Sequence, residues 1–376
     1  MKVSALRRLR GCYYPAVIAA LTPLNALLSL ILARRFLPGS VLHVSYMGHI
    51  PFQTVAVLRQ NGIRADYLAI GESAVWSQAD FQLASAGSAW ARPFVEFSLV
   101  WRVVARYSIL HLHFMVTPTR TGWELPWLKR MGRKVVIHYR GCEIRDRERN
   151  MAMHPAINIC QQCDYNPYIC KAEHNVLRRR LAESYGDAFL VTTPDLLDFV
   201  PDATHLPFFA PTGIAPRSPR EVIDELTIVH ATNHPGIEGT EAIRSVINGL
   251  VARGYRIRFI HLQNAPYREV VTALATADLA IGKMKMGYYA NAQIESMAAG
   301  VPTVTWVRDE FMTPALRDSG FIITSLEKLE ETLEYYASNP HALSAKALRA
   351  RESISRLHDN AVISAEYAAV YRRMSA

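Results

Sequence analysis

Acidic residues are absent from the first 65 positions of this 376-residue chain, and Asp66 is the first. Eight basic residues precede it: Lys2, Arg7, Arg8, Arg10, Arg34, Arg35, Arg59 and Arg64. They carry nearly all of the net charge of +9, because beyond them 34 Lys and Arg face 33 Asp and Glu. A DNA or RNA binder holds its basic stripe on the folded domain, so no nucleic-acid partner is expected. Cysteine is scarce as well, and five in this length cannot staple a secreted disulfide scaffold. Without G-x-G-x-x-G there is no ordinary nicotinamide or flavin fingerprint. A Walker A loop, a G-x-S-x-G elbow and an H-E-x-x-H pair are also missing. No D-x-D pair is present to hold a metal against a nucleotide diphosphate. A nucleotide would therefore have to be bound by helix N-termini, lysines and a carboxylate reading the ribose.

What remains is a folded chain, half apolar and 20% charged, long enough for two or three domains. Between the early arginines, residues 11–33 run for 23 positions without a charge. As one helix they would span about 34 Å, enough for a bilayer core, but Pro15 and Pro23 interrupt them. Two arginines follow Ala33 where a secretory signal would have small residues at a cleavage site. An anchor or re-entrant element on the cytoplasmic face, a true span and a buried soluble helix all fit this run. Positive charge at both ends favours the first.

Strands then alternate with helices. Strand patterns fall at residues 40–45, 65–70, 109–114, 134–139 and 188–192. After a Pro-rich connection at 207–219 they resume at 226–231, 256–261, 277–282, 303–307 and 321–324. Apolar runs spaced by helical segments mean parallel βαβ units. The expected fold class is α/β: two doubly wound, Rossmann-like domains facing a cleft, with an N-terminal apolar segment. The expected divisions are 1–39 (apolar and basic segment), 40–210 (first domain, with a Cys-rich insert at 142–170), 220–345 (second domain) and 346–376 (a C-terminal helix returning to the first domain).

Residues 277–304 read ADLAIGKMKMGYYANAQIESMAAGVPTV. A strand ends near Gly282, a loop carries Lys283, Lys285 and Gly287, and a helix starts at Asn291 and contains Glu295. Gly300 and Pro302 stop it. Such a helix offers an electropositive N-terminus to a diphosphate, with a carboxylate one turn inside. This stretch resembles the nucleotide-sugar site of the family 4 glycosyltransferases, which have the GT-B fold and build bacterial cell-surface glycans among other products. The family pattern has two glutamates separated by seven residues; Glu295 matches the second, and Gly287 stands at the first. Residues 230–240, HATNHPGIEGT, resemble the family's loop ending in R-x-x-K-G-T. Gly239 and Thr240 match, while Pro235 and Glu238 stand at the basic positions and leave Lys283 and Lys285 as replacement cations. If extended, the chain there would place both lysines on one face; as solvated loop charges they would do nothing specific. Residues 135–145, VVIHYRGCEIR, resemble the strand-loop that lines the acceptor side. Gly141, Glu143 and Arg145 fit it, with Arg140 or His138 left to contact the transferred sugar, and Gly48 and His49 expected on the same side. His138 reads equally well as a buried structural histidine, as His111 and His113 do.

Four cysteines, Cys142, Cys160, Cys163 and Cys170, fall within 29 residues and form the inventory of a structural four-thiolate zinc site. Unligated thiols, or iron–sulfur or redox use, are the alternatives. The resemblance implies a retaining glycosyltransferase that needs no metal or other cofactor for catalysis. It would move a sugar from a nucleotide-sugar to a lipid-linked or polysaccharide acceptor, on the cytoplasmic side of a membrane touched by the N-terminal segment. A nucleotide-sugar epimerase of the same architecture, or a degenerate transferase kept for assembly, are the rival readings.

Overall fold

The computed structural model describes residues 12–46, 48–72, 78–83, 88–165, 172–217, 220 and 223–375. The first sheet is built from β1 (Leu37–Tyr46), β2 (Ala65–Ile70), β3 (Phe81–Leu83), β4 (Tyr107–His113), β5 (Lys134–Tyr139), β6 (Ala188–Val191) and β7 (Thr204–His205), in the order β3-β2-β1-β4-β5-β6-β7. The second contains β8 (Leu226–Thr232), β9 (Ile257–Gln263), β10 (Leu279–Ile281), β11 (Thr303–Thr305) and β12 (Phe321–Ile323), ordered β12-β11-β10-β8-β9. Every pairing is parallel. All ten expected strands exist. β3 and β7 are additions at the two sheet edges, too short to leave a periodic signal.

Alternation assigns the two faces of the first sheet. Leu42, Val44, Leu110, Leu112, Val135 and Ile137 fill one core. Val41, Ile109 and Val136 fill the other, against the helices His49–Gln60 and Asn360–Ser375. That second helix brings Ile363, Tyr367, Val370 and Tyr371 onto the first domain. The return therefore begins at Asn360 rather than 346. The preceding helix, Pro340–Leu357, turns Leu343, Ala350 and Ile354 toward the second domain's cores.

No single helix among the described residues is long and apolar enough to cross a membrane. The N-terminal run is a pair of helices, Cys12–Ala20 and Thr22–Leu32, bent by 50° where Pro23 opens the second. They pack on the helix Arg92–Arg102: Tyr14 donates to the buried Glu96, and Trp101 Nε1 donates to Asn25 Oδ1 at 2.9 Å. The described part of the segment thus packs on the first domain.

Candidate active site

The strand ends of the two sheets face each other across a cleft of about 520 Å³. This is where open α/β sheets bind ligands, outside the carboxyl ends of their strands. From the second domain come Lys283, Asn291 and Glu295, with Tyr267 beside them. The chain leaves β10, loops through residues 282–290 and enters the helix Asn291–Ala298, whose start is tied by Gln293 Oε1 accepting from the Ala290 amide at 3.0 Å. Glu295 lies one turn inside, 7% exposed, and accepts from Asn291 Nδ2 at 3.0 Å. Burial pushes its carboxyl up to about 7. This is the carboxylate beside a helix N-terminus that the spacing indicated.

The two lysines separate. Lys283 lines the cleft and pairs with Glu238, so the acidic residue at the family's lysine position holds a cation supplied by another loop. Lys285 is buried, donates to the Gly236 carbonyl at 2.9 Å and does not line the cleft. Met284 between them is sunk in the core, so they do not share one exposed face. Gly239 and Thr240 also stay behind the cleft wall. Gly239 has φ +88° at the start of the helix Thr240–Ala252, and Thr240 Oγ1 is engaged by His230 Nε2 at 2.8 Å. They shape the loop, and neither lines the cleft, whereas the neighbouring Glu238 does.

Gly287 has φ +79°, and a Cβ there would lie 2.6 Å from Arg308 Cγ. Arg308 Nη1 in turn reaches Asp198 and His154 of the first domain, both at 2.7 Å. Restoring the family's glutamate is therefore expected to harm. Gly287→Glu combines a left-handed backbone with overpacking and should lower stability by about 2–4 kcal/mol in urea titration. Unchanged stability would show that Arg308 gives way freely.

From the first domain, Arg140, Gly141, Cys142 and Arg145 line the cleft at the end of β5. Glu143 is buried behind them, accepts the Arg140 amide and is pushed up to about 7 by burial. Arg145 pairs with Asp195 and donates to Cys142 Sγ at 3.4 Å. Arg140 differs from its neighbours. Its guanidinium meets His113 Nδ1 at 2.8 and 3.1 Å and lies beside Tyr367, with no carboxylate in ion-pair range among the described residues. Of the three cations lining the cleft, Arg145 and Lys283 have an ion-pair partner among the described residues and Arg140 has none.

His138 does not reach the cleft. It is fully buried on the face that alternation assigns to Val136, between His111 and Thr192. The sugar-contact role read for His138 is thereby corrected; of the two residues read there, Arg140 is the one that lines the cleft. Gly48 and His49 flank the cleft without lining it; Ile50 does, and the His49 ring lies 5.0 Å from that of Tyr267 in the other domain.

Cys142, Cys160 and Cys163 pack with Ile159, Ile237 and Met286, and Cys170 lies outside the described residues. Among the described residues, the one set of three or more potential ligand atoms within 4.8 Å of one another is His43, His111 and His113. The three described thiols are not such a set, and Cys160 Sγ accepts from Asn150 Nδ2 at 3.3 Å. Rather than standing beside the acceptor loop alone, the insert reaches the donor domain: Tyr165 stacks on His234 at 3.7 Å, and the Gln162 carbonyl packs against Gly236. Tyr165, Tyr267 and Tyr367 were not legible as site residues, since nothing in their local pattern separates them from core aromatics.

No protein-family model matches the sequence, and no curated protein does. Solved structures match in shape. Sucrose-phosphate synthase from Thermosynechococcus elongatus aligns with TM-score 0.60 at 12% identity, over 89% of this chain and 98% of that one. The N-terminal domain of Candida albicans trehalose-6-phosphate phosphatase gives 0.55 at 9%, over 91% and 98%. The catalytic domain of starch synthase IV from Arabidopsis thaliana, bound to ADP and acarbose, gives 0.52 at 10%, over 86% and 99%. The fold is GT-B. Identities this low speak for the fold alone.

Proposed function

We propose that the protein is a glycosyltransferase that moves a sugar from a nucleotide-sugar to an acceptor hydroxyl. One observation carries this reading: a single interdomain cleft is lined both by a buried carboxylate one turn into a helix and by an arginine that has no ion-pair partner among the described residues. Glu295 would accept the ribose hydroxyls. The helix Asn291–Ala298, Lys283 and Arg140 would hold the diphosphate. As the acceptor oxygen bonds to the anomeric carbon, the bond from that carbon to the diphosphate oxygen breaks, and the acceptor proton leaves with the diphosphate. Charge growing on the leaving group is met by cations already in place, so no divalent ion is required. In keeping with the sequence resemblance, the reaction retains configuration and belongs to family 4-type transfer onto a lipid-linked or polysaccharide acceptor. Nucleotide-sugars incubated with the full chain and candidate acceptors should yield free nucleoside diphosphate only when an acceptor is present. Sugar interconversion without an acceptor would make it an epimerase.

The N-terminal helices supply the membrane contact in this reading. In Thr22–Leu32 the two buried residues are both polar, Asn25 at 1% and Ser29 at 2%, while Leu27 and Leu30 are 53% and 74% exposed. A helix that buries its polar side and shows leucine outward matches an apolar surrounding. Phe94 and Val95 extend the patch on the helix beneath it, and Arg34 and Arg35 follow it in sequence, suited to anionic headgroups at the cytoplasmic leaflet. Leu27→Asp combined with Leu30→Asp should release the protein from phosphatidylglycerol vesicles, at least tenfold in partition, and leave its circular dichroism unchanged. Undiminished flotation with the vesicles would remove the anchor role. The zinc site likewise stands as a proposal, checked by metal analysis of the purified protein.

A further inference from the structure

Four histidines from three adjacent strands, His43, His111, His113 and His138, share the sheet face covered by the helix Asn360–Ser375. All four are fully buried. Every ring nitrogen has a partner. From the cleft inward, Arg140 meets His113 Nδ1 at 2.8 Å, and His113 Nε2 lies 2.9 Å from His43 Nδ1. His43 Nε2 is 3.4 Å from the Tyr371 hydroxyl, which is 2.9 Å from His111 Nδ1. His111 Nε2 is 3.0 Å from His138 Nδ1, and His138 Nε2 is 3.2 Å from Thr192 Oγ1. Thr192 Oγ1 donates to the Tyr139 carbonyl at 3.2 Å.

The two ends give this chain one direction. A guanidinium only donates, so His113 Nδ1 must accept and its proton must sit on Nε2. That proton goes to His43 Nδ1, and the same logic passes through Tyr371 to His111, His138 and Thr192. The carbonyl at the far end only accepts. All four rings are therefore neutral Nε2–H tautomers, and an extra or misplaced proton would set two donors face to face in a dry space. Burial lowers all four rings' proton affinity, and the Arg140 charge lowers it further for each. The other charged or titratable groups acting on them are Arg59 toward His43 and His205 toward His138.

His43, His111 and His113 could instead be read as three metal ligands. Their nitrogens are already spent within the chain, however, and a guanidinium rather than a carboxylate abuts His113. The arrangement orders protons.

We propose that Tyr371 is a positioning residue for Arg140. It joins the two halves of the histidine chain, and the chain presents His113 Nδ1 as a fixed neutral acceptor that aims the guanidinium into the cleft without neutralising it. The C-terminal helix thereby becomes part of the active site, packing Tyr367 beside Arg140 and acting on it through Tyr371 at a distance. The inference rests on the donor-site reading for its consequence and on geometry alone for the chain.

Two measurements on the full-length protein test it. In histidine ¹⁵N NMR, four rings should show Nε2–H tautomers and fail to titrate between pH 5.5 and 8. Nδ1 protonation of any of the four, or stoichiometric metal on them, overturns the proposal. Calorimetry with inorganic pyrophosphate at pH 8 reads the consequence. Arg140→Ala and Tyr371→Phe should each weaken binding at least fivefold, and the double variant should be no weaker than Arg140→Ala alone. Independent, multiplying effects, or an unaffected Tyr371→Phe beside a weakened Arg140→Ala, overturn the positioning role. If pyrophosphate does not bind the parent protein, the donor-site reading fails, and the tautomers still decide the chain. Should Tyr371→Phe not fold, Thr192→Val probes the far end in the same way.

Discussion

Glu295→Gln is expected to weaken binding of UDP or ADP by about 1.5–3 kcal/mol, between tenfold and some hundredfold. The substitution keeps the shape of the side chain and one acceptor oxygen. It removes the charge that would strengthen hydrogen bonds from the ribose hydroxyls, in a position only 7% exposed where water cannot compensate. Calorimetry on parent and variant is the measurement. If the variant binds as tightly as the parent, Glu295 is a packing residue of the helix Asn291–Ala298 and the donor site lies elsewhere.

The same residue sets a pH dependence whose sign can be worked out. Burial raises the Glu295 carboxyl from 4.5 to about 7 in the empty cleft. Ionisation is therefore unfavourable in the folded state, and this group's contribution to stability is full below about 4.5 and declines as pH rises toward about 7. A ligand that donates hydrogen bonds favours the ionised form. Affinity for adenosine or uridine, which carry no titrating phosphate, should rise from pH 5.5 to 8 and level off above. Near pH 6 binding should release a proton, seen as a calorimetric enthalpy that varies with buffer. The slope should vanish in Glu295→Gln. A slope that survives the substitution would belong to another group, with Glu143 the next candidate because burial raises it equally.

The contrast between Glu295 and Lys285 shows what the sequence could and could not convey. Helix period, a stop glycine and a following proline are local, and they place Glu295 one turn from an N-terminus without any tertiary knowledge. Lys283 and Lys285 sit in a loop whose path is set by Met284 entering a core built from distant strands, so alternation gave the wrong face for Lys285. His138 failed for a related reason. Its strand was legible, but both faces of a buried parallel sheet are covered, and pattern alone cannot say which face meets the cleft. The surroundings of Arg140 come from Tyr367 and His113, 227 and 27 residues away, which no spacing rule connects.

Gly236→Ala is expected to cost about 3 kcal/mol of stability and to loosen the Cys-rich insert from the donor domain. A Cβ at Gly236 would lie 1.9 Å from the Gln162 carbonyl oxygen, closer than any contact that persists. The obstruction is backbone and cannot rotate aside, so either the insert or the short helix Pro235–Glu238 must move. Moving either breaks the Tyr165–His234 stack and takes Gln162 from Lys285. It also uncovers Cys160, now 4% exposed. The expected signature in urea is an earlier transition, with faster thiol labelling of Cys160 under native conditions than in the parent. Nucleotide affinity should fall as well, because Glu238, which pairs with Lys283 at the cleft, ends the displaced helix. Labelling and stability both unchanged would mean that the insert and the donor loop do not touch in solution, and the cleft would then lack the wall that the insert provides.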